Sequence, residues 1–199
     1  RAAAARKLPR SVSAREKAAL RRVVRDLKAG RTMAAKAGWQ GFSQSHFSKR
    51  TARNVNALIL WVLRESILEQ KKDLAFHADK VRFYNEQKKA LRNHMARLRA
   101  KAAKLRGGGV RVRSILLRRR FEKGKNALVR RSWKTMTKAH MKATIEDMRR
   151  QLSSVGNDAQ LANVDLQNML RKSQRILQTI SNVSKMLHDT TMAIIRKIG

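Results

Sequence analysis

Basic side chains whose spacing suits phosphate binding are concentrated between residues 110 and 134, in the stretch VRVRSILLRRRFEKGKNALVRRSWK. Valine and arginine alternate at its start, which predicts a strand with Arg111 and Arg113 on one face. A guanidinium group can hold a phosphate through two parallel hydrogen bonds, so this face is a candidate for contact with a polyanion. The apolar side chains of this stretch need cover, for which a neighbouring protein is a candidate; these are Val110, Val112, Ile115 and Leu117.

Further basic residues extend this candidate contact onto two predicted helices. The sequence contains no acidic residue between Lys88 and Glu122. A solvated helix face normally mixes both signs of charge, so a simple solvent-facing role does not account for this segment. The predicted nucleic-acid contacts are Arg21, Arg22, Arg25, Lys88, Lys89, Arg92, Arg97, Arg99, Lys101, Arg111, Arg113, Arg118, Arg119, Arg120, Lys123, Lys125, Arg130 and Arg131.

The charge of the whole chain points to the same class of partner. Its 199 residues include 48 Lys and Arg against 13 Asp and Glu, a formal net charge of +35. Such a charge destabilises a compact state unless a polyanion neutralises it, and nucleic acid does so with little regard to sequence. Residues 151–199 are different, with six basic and three acidic side chains, so we expect the polyanion on residues 1–150.

Catalysis and metal binding have little support in the sequence. There is no cysteine, and the histidines are far apart, without metal-ligand spacing or a neighbouring carboxylate cluster. We therefore expect no enzyme activity, cofactor, metal or small-molecule substrate. A membrane partner is disfavoured, because no apolar run approaches about 20 residues and the helices lack a broad apolar face edged by lysine.

The first 48 residues predict a basic arm, a short helix and an aromatic loop. The opening RAAAARKLPRS fits either the end of an organellar transit peptide or a nucleic-acid-binding arm. Ser13 and Glu16 form a capping-box pattern, which predicts a helix over 13–29. Residues 38–48 are predicted as a loop, whose aromatic side chains at 39, 42 and 47 dock onto helices in preference to stacking on bases.

Two long helices are predicted from apolar residues spaced alternately by three and four positions. The first runs over 49–106, from a pattern beginning at Leu60, and three glycines end it. The second runs from 138 to about 197, with Thr137 as its N-cap and Gly156 as a weak point or a short interruption. The predicted helix-packing seam comprises Leu63, Ile67, Leu74, Val81, Leu91, Leu98, Leu152, Leu166, Ile176, Ile180 and Leu187.

These elements define a mostly α fold class. We expect an elongated antiparallel helical hairpin of coiled-coil type, with a short N-terminal helix and a basic β-ribbon between the two long helices. The predicted segments are 1–48 for the arm, helix and loop, 49–106 for the first long helix, 107–137 for the ribbon connector, and 138–199 for the second long helix.

Residues 157–199, NDAQLANVDLQNMLRKSQRILQTISNVSKMLHDTTMAIIRKIG, combine polar Asn, Gln and Ser positions with small aliphatic ones. In this they resemble the C-terminal helices of bacterial helical-hairpin proteins that build type III secretion and flagellar filaments. The resemblance implies a helix that assembles with other copies, and it identifies no functional residue.

Two functions therefore remain open. The first is a structural nucleic-acid-binding subunit of a larger assembly, such as a ribonucleoprotein or ribosome, that binds the phosphate backbone of RNA or DNA without base specificity. The second is a self-assembling helical-hairpin subunit of a filament or secretion apparatus. Both imply other protein chains or self-association, and we expect an intracellular location, in the cytoplasm or an organelle matrix.

Overall fold

The computed structural model of the protein describes residues 12–46 and 55–198 and is mostly helical. Its elements, in chain order, are α1 (Ala14–Lys28), α2 (Thr32–His46), α3 (Val55–Lys104), β1 (Gly109–Leu117), β2 (Leu128–Thr137) and α4 (Lys138–Ile198). The chain divides into two compact units. Of the described residues, those up to Asp73 and those from Leu170 belong to unit 1, and Leu74–Met169 form unit 2.

Helix α1 begins as the capping box predicts. The Ser13 hydroxyl accepts a hydrogen bond from the backbone N–H of Glu16, whose carboxylate accepts one from the N–H of Ser13. Both contacts satisfy amides that the first helical turn leaves without partners. The leucines and valines of α1 recur at helical spacing and are all buried in unit 1; they are Leu20, Val23, Val24 and Leu27.

The loop predicted over residues 38–48 is wrong for its described part, because α2 continues to His46. Trp39 and Phe42 are both buried in the core of unit 1, which confirms that they dock onto helices. Gly38 fits a close approach of α1 to α2, since a Cβ there would lie 3.3 Å from Val23 Cγ2. Burial thus outweighs the weak helix propensity of a glycine-rich and serine-rich segment. Phe47 lies outside the described residues.

In unit 1, the start of α3 and the end of α4 complete the core around α1 and α2. Its buried members from the long helices include Leu58, Val62, Leu63, Val183 and Leu187. Leu60 is 58% exposed, so the spacing pattern of α3 begins at Leu63 and not at Leu60. Leu58, Ile59, Val62 and Leu63 are buried in its place because this first part of α3 faces several helices and not one.

In unit 2, a second core joins α3, α4 and the two strands. Its buried members are Leu91, Met95, Leu98, Ala102, Val112, Met141, Ile145 and Met148. Helix α4 begins at the predicted cap, where the Thr137 hydroxyl accepts a hydrogen bond from the His140 N–H at 3.3 Å. The helix continues through Gly156 without interruption.

The predicted seam residues differ in how far they are buried. Buried members are Leu63, Leu91, Leu98, Ile176 and Leu187, and half-buried members are Ile67, Leu74, Val81, Leu152 and Leu166. The Ile180 side chain lies outside what the structure describes. None of the described seam residues is exposed, as the three-four spacing requires of a face that packs against other helices.

Strands β1 and β2 form a two-stranded antiparallel sheet, in which Val112 pairs with Lys134 and Arg113 with Trp133. Helix α3 ends at Lys104, two residues before the predicted end, and Gly108 turns the chain with a φ of +71°. A register shift between Leu116 and Leu117 ends the regular pairing.

The expectation that a neighbouring protein covers the apolar residues of β1 is wrong. Val112 is buried in the core of unit 2, and Val110, Ile115 and Leu117 pack against the same core while partly exposed. The cover comes from α3 and α4 of the same chain, because both helices contribute apolar residues to that core. An isolated two-stranded sheet is marginal in water, so this packing stabilises it.

Candidate nucleic-acid interface

The last third of α3 presents a set of basic side chains outside its buried stripe. Leu91, Met95, Leu98 and Ala102 are buried, as expected of one stripe of a helix. Lys88 is half-buried, and the exposed basic residues between these core positions are Lys89, Arg92, Arg97, Arg99 and Lys101. We call these six side chains the α3 cations.

The first residues of β1 add a second set of exposed basic groups. Arg111 and Arg113 are exposed while Val112 between them is 2% exposed, so the alternation predicted from sequence is present here. On β2, Arg130 and Arg131 are exposed as well. The Nζ of Lys101 donates a hydrogen bond to the backbone oxygen of Arg111 at 2.7 Å and so joins α3 to β1. The two sets therefore adjoin within unit 2.

Between the strands, Arg118 differs from the other basic residues. It is half-buried, and its Nη1 lies 2.8 Å from a carboxylate oxygen of Glu122. Its backbone oxygen accepts a hydrogen bond from the Gln87 side chain, which fixes this segment against α3. Its neighbours Arg119, Arg120, Lys123 and Lys125 are exposed. We therefore assign Arg118 first a structural role, that of holding this segment in place, and only second a role in binding a ligand.

Phe121 holds the same segment on α3 through contacts that sequence reasoning missed. Its ring centroid lies 5.3 Å from that of Phe76 and 5.6 Å from that of Phe83, both in edge-on geometry. Such aromatic pairs contribute more than their buried area alone. The one sequence signal was the spacing of seven residues between Phe76 and Phe83, which places both near one helix face.

Nearly all of these basic side chains lack a carboxylate partner among the described residues. Among the described residues, Arg118 is the one predicted contact that forms an ion pair. The other ion-paired acids of unit 2 pair with cations outside this set: Glu146 with Arg149 at 2.6 Å, Asp147 with Arg150 at 3.3 Å, Asp165 with Lys80 at 3.0 Å, and Asp79 with Arg82 at 3.7 Å. The α3 cations and the exposed arginines of β1 and β2 therefore have no carboxylate partner among the described residues and are available to an external anion.

The three predicted contacts on α1 belong to the other unit. Arg21, Arg22 and Arg25 are exposed on unit 1, on the side of α1 that its buried leucines and valines leave to solvent. The structure does not bring them into one unit with the cations of α3 and the sheet.

Trp133 on β2 is the second feature that sequence reasoning missed. It is 57% exposed, and the guanidinium carbons of Arg111 and Arg113 lie 5.8 and 5.9 Å from its ring centroid. An arginine over an indole ring is attracted by the negative face of the ring. The strand pairing that places Trp133 opposite Arg113 could not be derived from composition or spacing.

Trp133 also lines an open groove of about 370 Å³ between α3 and the sheet. His94, Leu98 and Val112 are buried beneath it, and Arg97, Lys101 and Arg113 are exposed around it. Burial of the His94 imidazole, and secondarily the positive charge of Arg97, lowers its pKa below the usual value. The base of this groove is therefore uncharged at neutral pH, while its edge is cationic.

The other histidines show no arrangement for chemistry in the part of the chain that the structure describes. No group of three or more His, Cys, Asp or Glu side chains is placed to hold a metal ion there. His77 is half-buried beside Phe76, His140 and His188 are exposed, and the His46 side chain is not described. Among the described helices, none is both long and apolar enough to span a membrane.

Comparison with known proteins gave no match to a family model, to a curated protein or to a solved structure.

Proposed function

We propose that this protein is a structural nucleic-acid-binding subunit of a larger assembly, such as a ribonucleoprotein or a ribosome. It binds the phosphate backbone without base specificity. The observation that carries the proposal is the exposed cationic surface of unit 2, made of the α3 cations with the exposed basic residues of β1, β2 and the segment between them. No acidic residue interrupts the sequence from Lys88 to Arg120.

The ion-pair pattern supports an anionic partner over a simple solubility role. In a surface that serves solubility, both signs are interspersed and many cations have carboxylate partners. Here Arg118 with Glu122 is the one ion pair among the predicted contacts that the structure describes, and the other ion-paired acids of unit 2 pair with Lys80, Arg82, Arg149 and Arg150, outside the cationic surface. Phosphates are the external anions that match arginine forks, and they release counterions when bound.

The long helices supply the support for this surface and a place for protein partners. Within each unit a segment of α3 packs with a segment of α4, which favours the antiparallel helical hairpin of coiled-coil type expected from their spacing patterns. Residues 151–199 carry few charges, so in the proposed assembly α4 faces other protein chains while the cationic surface lies on nucleic acid.

Salt-titrated binding of the full chain to RNA and to DNA duplexes tests the proposal. The logarithm of the binding constant should fall linearly with the logarithm of salt concentration, with a slope of about −0.9 per phosphate contacted in a DNA duplex. RNA and DNA of unrelated sequence should bind with similar affinity. Absence of binding even at low salt would contradict the proposal.

Two adjacent arginine pairs give a matched comparison in this assay. Arg119→Ala with Arg120→Ala removes two exposed cations from the cationic surface, whereas Arg149→Ala with Arg150→Ala removes two that already pair with carboxylates. We expect the first double variant to reduce the magnitude of the salt slope by about 1 to 2 and the second to change it much less. Equal effects would show that only net charge matters.

Point substitutions are preferable to deletion of the sheet. Residues 110–134 include Val112 and Ile115, which pack in the core of unit 2. Deleting the stretch would therefore destabilise that core and confound any loss of binding.

Self-assembly through α4 is the second candidate. Leu161 and Val164, three residues apart on α4, are 64% and 52% exposed, which is unusual for two neighbouring large apolar side chains on a helix. The resemblance of residues 157–199 to filament-forming helices agrees with this. In nuclease-treated protein, this function predicts discrete oligomers or fibres that Leu161→Gln with Val164→Gln abolishes; a monomer at all concentrations contradicts it.

A further inference from the structure

We infer that Trp133 and the groove beside it bind an unpaired nucleobase, so that the preferred ligand of unit 2 is single-stranded nucleic acid. This inference rests on the proposed function and specifies its substrate. It adds one stacking contact to a surface that otherwise recognises only phosphate.

The exposure of the Trp133 ring favours a role in binding a base. A tryptophan side chain left 57% exposed on a folded surface keeps a large apolar area in water, which the fold does not use in its own core. Arg111 and Arg113, with their guanidinium carbons 5.8 and 5.9 Å from the ring centroid, restrict its position from the paired strand. The ring is thus positioned before any ligand arrives, which lowers the entropic cost of stacking.

The distribution of charge around the groove matches that of a nucleotide. His94, Leu98 and Val112 beneath it are 4%, 1% and 2% exposed and present uncharged surface at neutral pH. Arg97, Lys101 and Arg113 around it are exposed and have no carboxylate partner among the described residues. A nucleotide has the same division, with a flat and uncharged base joined to an anionic phosphate.

An exposed indole ring favours single strands over duplexes as the ligand. Inside a duplex both faces of a base are stacked on neighbouring bases, and exposing one face costs several kcal/mol of unpairing and unstacking. Single strands present these faces freely, and aromatic side chains flanked by basic groups are the usual means of binding them. A surface for duplex backbone alone would need the cations but not an exposed indole.

The test compares a labelled oligouridine of about 12 nucleotides with a duplex of the same length, since aromatic and basic grooves cover about 4–16 nucleotides. Trp133→Leu retains an apolar side chain and removes the aromatic ring, and Trp133→Phe retains a ring. We expect Trp133→Leu to weaken single-strand binding about 5- to 100-fold and Trp133→Phe to restore most of it. Duplex binding should change less than about twofold, and the salt slope should be unchanged because no charge is removed.

Intrinsic fluorescence provides a second test that does not depend on affinity. Stacking of a base on Trp133 should quench part of the intrinsic fluorescence of the full chain, and Trp133→Phe should remove that part. The other tryptophans, Trp39 and Trp61, are buried and half-buried, so they should contribute little to the change.

Three outcomes would overturn this inference while leaving phosphate binding intact. The first is unchanged single-strand affinity in Trp133→Leu, alongside a reduced salt slope in the double variant Arg119→Ala with Arg120→Ala. The second is an equal loss for single strands and duplexes. The third is binding of polyglutamate as tight as that of oligouridine, with the same loss in Trp133→Leu, which would indicate an acidic protein partner. If the wild-type chain binds neither nucleic acid, the proposed function fails as well.

Discussion

Trp39 donates a hydrogen bond from its indole Nε1 to the hydroxyl oxygen of Thr191 at 3.0 Å, across 152 positions of sequence. The same N–H lies 3.1 Å from the backbone oxygen of Leu187, and the Thr191 hydroxyl donates to that oxygen at 2.8 Å. Trp39 and Thr191 are both fully buried. This network joins α2 to the end of α4 in unit 1, and it explains why a glycine-rich segment is held as a helix.

We expect Trp39→Phe to lower the free energy of unfolding by about 1–3 kcal/mol. The change leaves a cavity in the core and removes the donor that satisfies Thr191. Hydrogen exchange should become faster at the amides of α1 and α2, and chemical denaturation should report the loss of stability. Trp61→Phe makes the same chemical change at a half-buried site with no such hydrogen bond among the described residues, so its effect should be smaller. An equal effect would argue against the network.

The turn from α3 into β1 makes a prediction about two adjacent glycines. Gly108 has a φ of +71°, a left-handed conformation that costs a residue with a Cβ about 1–2 kcal/mol. Gly107 has no positive φ, and a Cβ added to it would have no neighbour within 4 Å. Gly108→Ala should therefore destabilise unit 2 by about that amount, and Gly107→Ala should be tolerated. Thermal unfolding of both variants checks this, and equal melting temperatures would contradict it.

The buried imidazole of His94 makes the stability of the protein depend on pH. Its pKa is lowered in the folded state, first by burial and then by Arg97, and its Nε2 has no hydrogen-bond partner among the described residues. In the unfolded chain the pKa returns to about 6.5, so the unfolded state binds the proton more readily. Stability is therefore full above pH 6.5 and falls as the pH is lowered from there through the folded-state pKa.

Urea denaturation at pH 7.5 and at successively lower pH measures this effect. His94→Gln should flatten the pH dependence, because it removes the titrating group, even if it changes stability at pH 7.5. His140→Gln, at an exposed position of the same unit, should leave the slope unchanged. The assignment fails if the two variants show the same pH dependence as the wild-type chain.

The features determined by the sequence are those fixed by neighbours within a few positions. The three-four spacing of apolar residues specified α3 and α4, the Ser13 and Glu16 pair specified the start of α1, and the alternation of valine with arginine specified β1. Each of these features depends on backbone periodicity or on a hydrogen bond within one helical turn, so the order of neighbouring residues is enough to predict it.

Only the tertiary structure decided those features that depend on contacts between residues far apart in the chain. Helix α2 exists in a segment of loop-like composition because Trp39 finds its hydrogen-bond partners about 150 positions away. Val112 is covered by the protein itself, Arg118 is paired, and Trp133 lies beside two arginines, none of which spacing could show. Burial, ion pairing and strand register are set by three-dimensional contacts, and these decide which basic residues remain free to bind an anion.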